Sequence, residues 1–488
     1  MYWWFTGGRN VIGHRRLPPG PRGLPIIGSL HMLGKLPHHS LRKLANKYGP
    51  IMFIRLGQVP AMVVSSPKAA ELVLKTYDSI FASRPNTMAS KHLSYGGKGI
   101  AFTQYGPYWT KMRRLCTTEF FGHSKIGLFK LMREEELGRL VEILKKDAEA
   151  GTMVDFTAKV GSLIEQMTYL MVLGERDDNF NIKPVIKEAL RLSGAFNLDD
   201  YIPGSLDIQG LTRHMKAVNK VADEFLEKLI DNHLQPTKDH KDHHKGFIDT
   251  MLSLMLKSDG RIKDQQQYMM DRTNIKAIMV DMLVGSMDST TTTIEWTFSE
   301  LLKHPRVMKK LQEELKNVVG MDKFVKEEYL LNLEYLNMVI RESMRLHPPG
   351  PLLVPRESME DVTIDDYYIP KKSCVIINAW AIGRDPNVWS DNAEEFLPER
   401  FIGNGVDIQG HDFQLIPFGS GRRVCPGLQL GLTLVRLVLA QLVHCFDWTL
   451  PNGMLPSDLD MNEMYGLTVS RAKPLLAVPT YRLHVSKL

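Results

Sequence analysis

Apolar residues recur every three or four positions over much of the chain, the spacing that places them on one face of an α-helix. This spacing predicts helices over residues 211–233, 247–256 and 273–304, and a shorter helix over residues 333–346. The last two end just before Pro305 and Pro348, and proline cannot continue a helix because it lacks a backbone N–H. The chain is therefore predicted to be mainly helical.

Four short runs rich in β-branched residues predict strands. Residues 51–56 and 61–64 are separated by Gly57-Gln58-Val59-Pro60, which indicates a hairpin. Residues 362–364 and 374–378 lie much later in the chain. We expect these segments to join in one small mixed sheet, so that the fold class is mainly α with small β-sheets.

Composition narrows the class of protein. A chain of 488 residues with 43% hydrophobic residues can bury a large core, and it has no Gly/Ser-rich or Pro-rich linker in its middle, which favours one large domain. A net charge of +6 without a long Lys/Arg run does not indicate nucleic acid. The four cysteines have no zinc-binding spacing, which favours reduced thiols facing the cytosol.

The N-terminal part differs from the remainder. Residues 1–16 form an atypical segment whose apolar stretch is too short to cross a bilayer. Residues 17–25 are a proline-rich hinge flanked by arginines, and residues 26–488 form the main domain. The segment is interpreted either as a basic hinge next to a membrane or as an ordinary frayed terminus.

One cysteine lies in a turn that suits a metal-binding thiolate. Cys425 follows Phe418, Gly421 and Arg423 and precedes Gly427. Glycines let backbone N–H groups approach the sulfur, and the arginine brings a positive charge. The alternative for such a residue is a buried core cysteine in a glycine-rich turn.

The complete pattern, Phe-x-x-Gly-x-Arg-x-Cys-x-Gly, resembles the haem-binding loop of the cytochrome P450 superfamily. The resemblance implies a cytochrome P450 fold that binds haem b, with Cys425 as the iron ligand and Arg423 near a haem carboxylate. Residues 418–427 and 347–351 are most similar to those of plant microsomal hydroxylases.

A polar stretch interrupts the apolar face of the predicted helix over residues 273–304. Its Gly285-Ser286-Met287-Asp288-Ser289-Thr290 run is rich in hydroxyls, which compete for backbone carbonyls and favour a local opening of the helix. The run resembles the family's oxygen-binding groove, which implies that Asp288 and Ser289 relay protons. Ser286 and Ser289 depart from the usual glycine and threonine, so some uncoupled oxygen reduction is expected. The alternative is a polar helix face.

Charged and aromatic residues elsewhere match further motifs of the family. The resemblance implies a structural network of Glu342, Arg345 and Arg400. It also implies that Trp109, Arg113 and Arg356 bind haem carboxylates together with Arg423. Taken singly, each of these arginines fits an ordinary surface residue better.

The resemblance also implies the reaction and its partners. We expect a monooxygenase that hydroxylates a small hydrophobic substrate, a phenolic or other aromatic specialised metabolite, with O2 and with electrons from NADPH through NADPH-cytochrome P450 reductase. It would lie at the cytosolic face of the endoplasmic reticulum membrane, with a basic docking face of Lys111, Arg114 and Arg422. Residues expected at the substrate pocket are Phe102, Val284, Gly285, Leu352, Val354 and Leu467.

Two other functions and one other site stay open. The chain fits a haem-thiolate isomerase or dehydratase that needs no reductase, or a non-catalytic protein that binds haem or another ligand. His240, His243 and His244 lie in a polar stretch that is interpreted as a solvated loop rather than as a metal site.

Overall fold

The computed structural model describes residues 11–12, 15–176, 182–235, 246–259 and 270–484. His240, His243 and His244 lie outside these ranges, and so does most of the atypical N-terminal segment. The α-helices within the described ranges are α1 Pro37–Tyr48, α2 Pro67–Glu71, α3 Met88–His92, α4 Pro107–Glu119, α5 His123–Leu128, α6 Lys130–Glu149, α7 Phe156–Val172, α8 Lys183–Gly194, α9 Leu198–Tyr201, α10 Leu211–Leu234, α11 Phe247–Asp259, α12 Arg272–Lys303, α13 Pro305–Val319, α14 Glu334–Leu346, α15 Ala379–Ile382, α16 Pro386–Trp389 and α17 Leu428–Cys445.

The strands are short, and they form separate small sheets. They are β1 Val11–Ile12, β2 Arg15–Arg16, β3 Ile51–Leu56, β4 Val59–Val64, β5 Val154–Asp155, β6 Arg356–Glu357, β7 Val362–Ile364, β8 Tyr367–Ile369, β9 Cys374–Ile377, β10 Phe446–Thr449, β11 Glu463–Met464, β12 Ser470–Arg471 and β13 Leu476–Tyr481. The prediction of a mainly α fold with small sheets is confirmed. Helices α10, α11, α12 and α14 match the four predicted helices to within three residues at each end.

The core is built around the long helix α12. It packs against α7, α8, α14 and α17, so that most of its side chains beyond Met287 are buried. Helix α17 is apolar on all sides and long enough to cross a membrane, but 78% of it is buried inside the protein. Helix α17 is therefore a core helix, and through it the chain after Cys425 runs into the centre of the protein.

The largest sheet confirms the predicted hairpin and one of the two predicted late strands. Its order is β3-β4-β9-β6, with β4 and β9 parallel and the other pairs antiparallel. The expectation that residues 362–364 join this sheet is wrong, because β7 pairs with β8 in a separate hairpin. The two residues between β7 and β8, Asp365 and Asp366, both have positive φ, which is the geometry of a tight two-residue hairpin turn.

A C-terminal hairpin brings distant residues to the centre of α12. Strands β11 and β12 pair, and the loop between them contains Leu467 and Thr468. The loop is fixed by Trp296 of α12, whose Nε1 donates to the carbonyl of Val469 at 2.9 Å. The loop also packs closely against Gly194 at the end of α8, because a Cβ at that position would lie 2.2 Å from the Leu467 nitrogen. The loop is therefore held between α8 and α12.

Candidate active site

The loop that carries Cys425 has a backbone that favours glycine at Gly419 and Gly421, because both have positive φ. The Cys425 N–H donates to the Phe418 carbonyl at 2.9 Å, which closes the loop. Gly421 has φ +68°, and a Cβ there would lie 2.3 Å from the carbonyl oxygen of Leu74. Gly427 has φ −87°, and a Cβ there would meet its nearest atom at 3.6 Å. Contacts among protein atoms therefore explain Gly421 but not Gly427.

The thiol of Cys425 differs from the other three cysteines. Burial raises its pKa, but the N–H of Gly427 donates to the sulfur and the nearby Arg113 adds positive charge, and both lower the pKa again. Cys425 is half-buried, whereas Cys116, Cys374 and Cys445 are fully buried. Cys425 is therefore the thiol best placed to receive a ligand as a thiolate.

Arg423 is held beside this loop by backbone carbonyls. Its guanidinium donates to the carbonyls of Ala82 at 2.7 Å and of Thr103 at 2.6 Å. It lies 4.1 Å from the centre of the Trp109 ring, whose N–H donates to the Ile100 carbonyl at 3.0 Å. The predicted Trp109 thus stacks on the predicted Arg423, which stabilises both side chains through a cation–π contact.

Arg84 belongs to the same cluster, although the sequence analysis missed it. It is buried and donates to the carbonyls of Ala101 at 3.0 Å and of Pro355 at 2.9 Å. It also donates to the Val354 carbonyl. An arginine followed by proline has no distinctive sequence signal, so only the tertiary contacts reveal this residue.

Asp78 pairs with two of the predicted arginines. Arg356 donates to Asp78 at 2.8 Å, with both side chains buried, and also to the Ser420 carbonyl. Arg422 donates to the other oxygen of Asp78 at 2.9 Å through both its backbone and its side chain. Asp78 therefore ties Arg422 to the cysteine loop, although the Arg422 side chain is 47% exposed.

The remaining arginines of the site, two buried and one half-buried, fit a group that carries two carboxylates. Among the described residues, the hydrogen-bond acceptors of Arg84, Arg113 and Arg423 are backbone carbonyls. Burial lowers the pKa of all three, and mutual repulsion lowers the pKa of Arg84 and Arg423 further, to about 9 for Arg423. A buried cluster of cations without carboxylate partners is costly unless an anion joins it. The side chains around Cys425 therefore fit haem, with its two carboxylates.

Helix α12 is continuous through its polar stretch, which corrects the expectation of a local opening. The Ser289 hydroxyl donates to the Gly285 carbonyl at 2.7 Å, and Thr291 and Thr293 bond the carbonyls four residues earlier in the same way. These hydroxyls add a second bond to each carbonyl instead of displacing the backbone N–H, so the helix stays closed. A Cβ on Gly285 would meet no atom within 4 Å, so this turn faces open space.

Asp288 and Ser289 have different hydrogen-bond partners. The Asp288 carboxylate accepts from the hydroxyl of Thr468, on the loop between β11 and β12. Burial raises the pKa of Asp288, and the Thr468 hydrogen bond and the charge of Lys187 lower it again. Ser286 points toward α7, where its hydroxyl lies 3.3 Å from that of Thr168. The sequence analysis did not predict the contact between Thr468 and Asp288.

Asp281, one turn before Gly285, is a half-buried carboxyl that the sequence analysis missed. It accepts from the backbone N–H groups of Ile100 at 2.5 Å and Ala101 at 3.0 Å. Burial raises its pKa to about 6, although these hydrogen bonds oppose the shift. The carbonyls of the same two residues accept from Arg423 and Arg84. Asp281 therefore holds the backbone that positions the buried arginines.

The structure brings Glu342, Arg345 and Arg400 together. Arg345 donates to both Glu342 oxygens at 2.7 and 2.8 Å, and Arg400 donates to one of them at 2.8 Å. The Arg345 and Glu342 side chains are 0% exposed, and that of Arg400 is 9% exposed. The three groups form a desolvated ion-pair network between α14 and the segment that leads to the cysteine loop.

One of the six predicted pocket residues lines a cavity in the described part of the chain. An apolar cavity between α3, α8, α10 and α12 is lined by Val284, and Leu283, Ile186 and Leu226 are among its other walls. Leu352 packs in the core beside the large sheet, whereas Leu467 packs against the main core. The Val354 carbonyl faces Arg84. The structure thus places Val284 at a cavity, and the grouping of the six residues as a substrate pocket stays a prediction.

Comparison with known proteins gives matches that cover nearly the whole chain. A profile of the family described as Cytochrome P450 matches residues 18–476. Cytochrome P450 CYP736A12 of Panax ginseng is 56% identical over 487 residues, covering 99% of this chain and 97% of that protein. Phenylacetaldehyde oxime monooxygenase CYP71AN24 of Prunus mume is 41% identical, covering 95% and 89%. Desmethyl-deoxy-podophyllotoxin synthase of Sinopodophyllum hexandrum is 40% identical, covering 95% and 92%.

Proposed function

Since the chain belongs to the cytochrome P450 family and is a monooxygenase, we propose that it hydroxylates a small aromatic specialised metabolite with electrons from NADPH. The reaction consumes the substrate R–H, O2, NADPH and a proton and yields R–OH, water and NADP+. The observation that carries the proposal is the half-buried Cys425 beside buried arginines without carboxylate partners. This arrangement suits a thiolate-bound haem whose own carboxylates complete the charge balance.

The haem, when bound, supplies oxygen activation and the oxidation of the substrate carbon. The protein supplies the ligand through Cys425, whose thiolate is stabilised by the N–H of Gly427 and by Arg113. Arg84, Arg113, Arg356 and Arg423 would hold the haem carboxylates, with Trp109 supporting Arg423. Phe418, Gly421 and Gly427 shape the loop around the sulfur.

Asp288 and Ser289, which are neighbours on α12, would move protons within the site. Burial raises the pKa of Asp288, so its carboxyl takes up and releases a proton closer to neutral pH than an exposed aspartate does. Thr468 fixes the orientation of this carboxyl. Ser289 is the next residue of α12, and its hydroxyl donates to the Gly285 carbonyl at 2.7 Å, which restrains its orientation.

An aromatic substrate is supported by the apolar character of the predicted pocket and by the relatives. Phe102, Val284, Leu352, Val354 and Leu467 are apolar, and Gly285 leaves open space beside α12. The Prunus mume relative is named for phenylacetaldehyde oxime, which carries a phenyl ring. We therefore propose a phenolic or other aromatic compound as the substrate class.

A reductase is proposed as the electron donor, and it would dock beside the cysteine loop. Lys111 and Arg114 lie on α4, within two residues of Arg113, and Arg114 is exposed. Reversing these charges with Lys111→Glu and Arg114→Glu should slow electron transfer and weaken its salt dependence. The matched control is Lys220→Glu, an exposed residue on α10 that should leave both unchanged.

Attachment to the cytosolic face of the endoplasmic reticulum membrane is proposed through an exposed apolar surface. The N–H of Gln58, in the turn between β3 and β4, donates to the Tyr201 carbonyl at 2.9 Å, which joins this turn to the segment after α9. Large apolar side chains on both sides of this junction are exposed, namely Leu24, Ile26, Leu206 and Ile208. An exposed apolar patch next to an arginine-rich segment is suited to bind an anionic lipid surface.

The proposal is tested with haem-loaded protein, a plant reductase and a library of phenolic compounds. A compound that displaces the haem's water, seen as a Soret shift, should be hydroxylated with consumption of NADPH and O2. Turnover without NADPH would favour the isomerase or dehydratase. Binding of a compound without any oxygen consumption in the presence of reductase would favour a non-catalytic ligand-binding protein.

A further inference from the structure

Two consecutive histidines and a glutamate meet at the start of α1, away from the cysteine loop. The Nε2 atoms of His38 and His39 lie 2.9 and 2.7 Å from the same carboxylate oxygen of Glu463. These three atoms all lie within 4.8 Å of one another. Glu463 is the first residue of β11, so the cluster joins the start of α1 to the C-terminal hairpin.

The donor groups of this cluster are ones that bind transition metals, namely two imidazole nitrogens and one carboxylate oxygen. Arg384 lies nearby, but its charge is offset by Glu394 at 3.0 Å. An ionised carboxylate with two imidazoles is a donor set that Zn2+ and Cu2+ favour over Mg2+ or Ca2+.

We propose that His38, His39 and Glu463 form a binding site for a divalent transition metal ion of the Zn2+ or Cu2+ type. Bonds of about 2.0 to 2.2 Å to a tetrahedral ion separate neighbouring ligand atoms by about 3.3 to 3.5 Å. The carboxylate oxygen therefore withdraws by roughly half an ångström from each imidazole to admit the ion. This small movement keeps all three side chains in place.

The ion reaches the site from the side of His39. The His39 side chain is 38% exposed, whereas those of His38 and Glu463 are 0% and 9% exposed. The fourth coordination position faces solvent beside His39 and takes water. The Trp380 ring stacks on His39 with ring centres 4.1 Å apart, and it supports the imidazole.

A metal ion bound by His38, His39 and Glu463 would be coupled to the loop between β11 and β12. Glu463 pairs across the hairpin with Arg471, and Thr468 in the intervening loop donates to Asp288. A metal that binds Glu463 together with α1 restrains the base of this hairpin. We therefore expect a bound ion to slow hydrogen exchange in the loop that contacts α12.

The test uses the haem-loaded protein after treatment with a chelator and its removal. Zn2+ binding is measured by titration calorimetry, and Cu2+ binding by quenching of tryptophan fluorescence, to which Trp380 contributes because of its contact with His39. The variants are His39→Ala and Glu463→Gln. The control is His411→Ala, which removes an exposed histidine that lies 3.5 Å from Asp407.

The parent and the control should bind one equivalent of Zn2+, and each cluster variant should bind it at least tenfold more weakly. Hydrogen exchange of residues 463–471 should slow with Zn2+ and not with Mg2+. Equal affinity in the parent and in Glu463→Gln, which retains the hydrogen-bonding shape and folding, would overturn the site. Unchanged exchange of these residues with Zn2+ bound would overturn the coupling to the hairpin.

Discussion

Replacing Glu342 with glutamine should lower the free energy of unfolding by about 3 to 5 kcal/mol, because it leaves two buried guanidinium groups without their anion. Glu342 accepts from Arg345 at 2.7 and 2.8 Å, from Arg400 at 2.8 Å and from the Leu397 N–H at 2.8 Å. A glutamine side chain has only one acceptor oxygen. Its NH2 group would point at the N–H donors that bond to the second oxygen of Glu342, so those donors would lose their acceptor. Losing about two charge-assisted hydrogen bonds, each worth about 1.5 to 3 kcal/mol, gives a loss of the same size.

The expected loss converts to a measurable change in melting temperature. Unfolding entropy is about 2.1 cal/mol/K per residue, which gives roughly 1 kcal/mol/K for the 488 residues of this chain. Glu342→Gln should therefore melt about 3 to 5 °C below the parent. Urea unfolding of the haem-loaded protein, followed by tryptophan fluorescence, measures the same free energy.

The matched control is Glu71→Gln, which breaks an ion pair of equal length at the surface. Lys75 lies 2.7 Å from Glu71, and these side chains are 67% and 45% exposed. Its removal should change the free energy of unfolding by no more than about 0.5 kcal/mol. Equal losses in the two variants would refute the reasoning, because burial would then not decide the cost of removing the anion.

Three further outcomes are expected. Asp288→Asn should lower kcat at least about a hundredfold in an NADPH-driven assay while substrate binding stays within about threefold, because the variant keeps an oxygen for Thr468 but carries no proton to deliver; unchanged kcat would contradict this role. Arg84→Ala should lower the haem content of the purified protein, measured as the ratio of Soret to protein absorbance, whereas Arg139→Ala, at an arginine whose side chain is 54% exposed, should not. Because burial raises the pKa of Asp281 to about 6, its stabilising contribution is present at low pH and is lost as pH rises through that value. Urea unfolding of the parent should therefore lose about 1 kcal/mol between pH 5 and pH 7 relative to Asp281→Asn, and parallel pH profiles would contradict this.

Local patterns in the sequence were sufficient for the helices and for the cysteine loop. Helical spacing and flanking prolines located α12 and α14 because both signals act within a few residues. The separate β7–β8 hairpin was missed because its turn is made by two aspartates instead of Asn-Gly or Asp-Gly. The Cys425 loop was recognised because its functional residues lie within ten positions of one another.

Residues that act through distant contacts left no such signal. Asp78 pairs with Arg356 across 278 positions, and Thr468 reaches Asp288 across 180 positions. Arg84 and Asp281 likewise meet the backbone near Ala101 only in the folded chain. A buried charge is identified by its surroundings, and these are set by tertiary packing, so the sequence alone did not distinguish these residues from surface charges.

The central claim is that Cys425 binds the haem iron as a thiolate, and the carbon monoxide difference spectrum of the reduced protein tests it most directly. The haem-loaded parent should show the red-shifted Soret band of thiolate ligation. Cys425→His should retain haem and lose this band, because the imidazole replaces the sulfur as ligand. A folded, haem-loaded parent that lacks the band, or a Cys425→His variant that keeps it, would contradict the account.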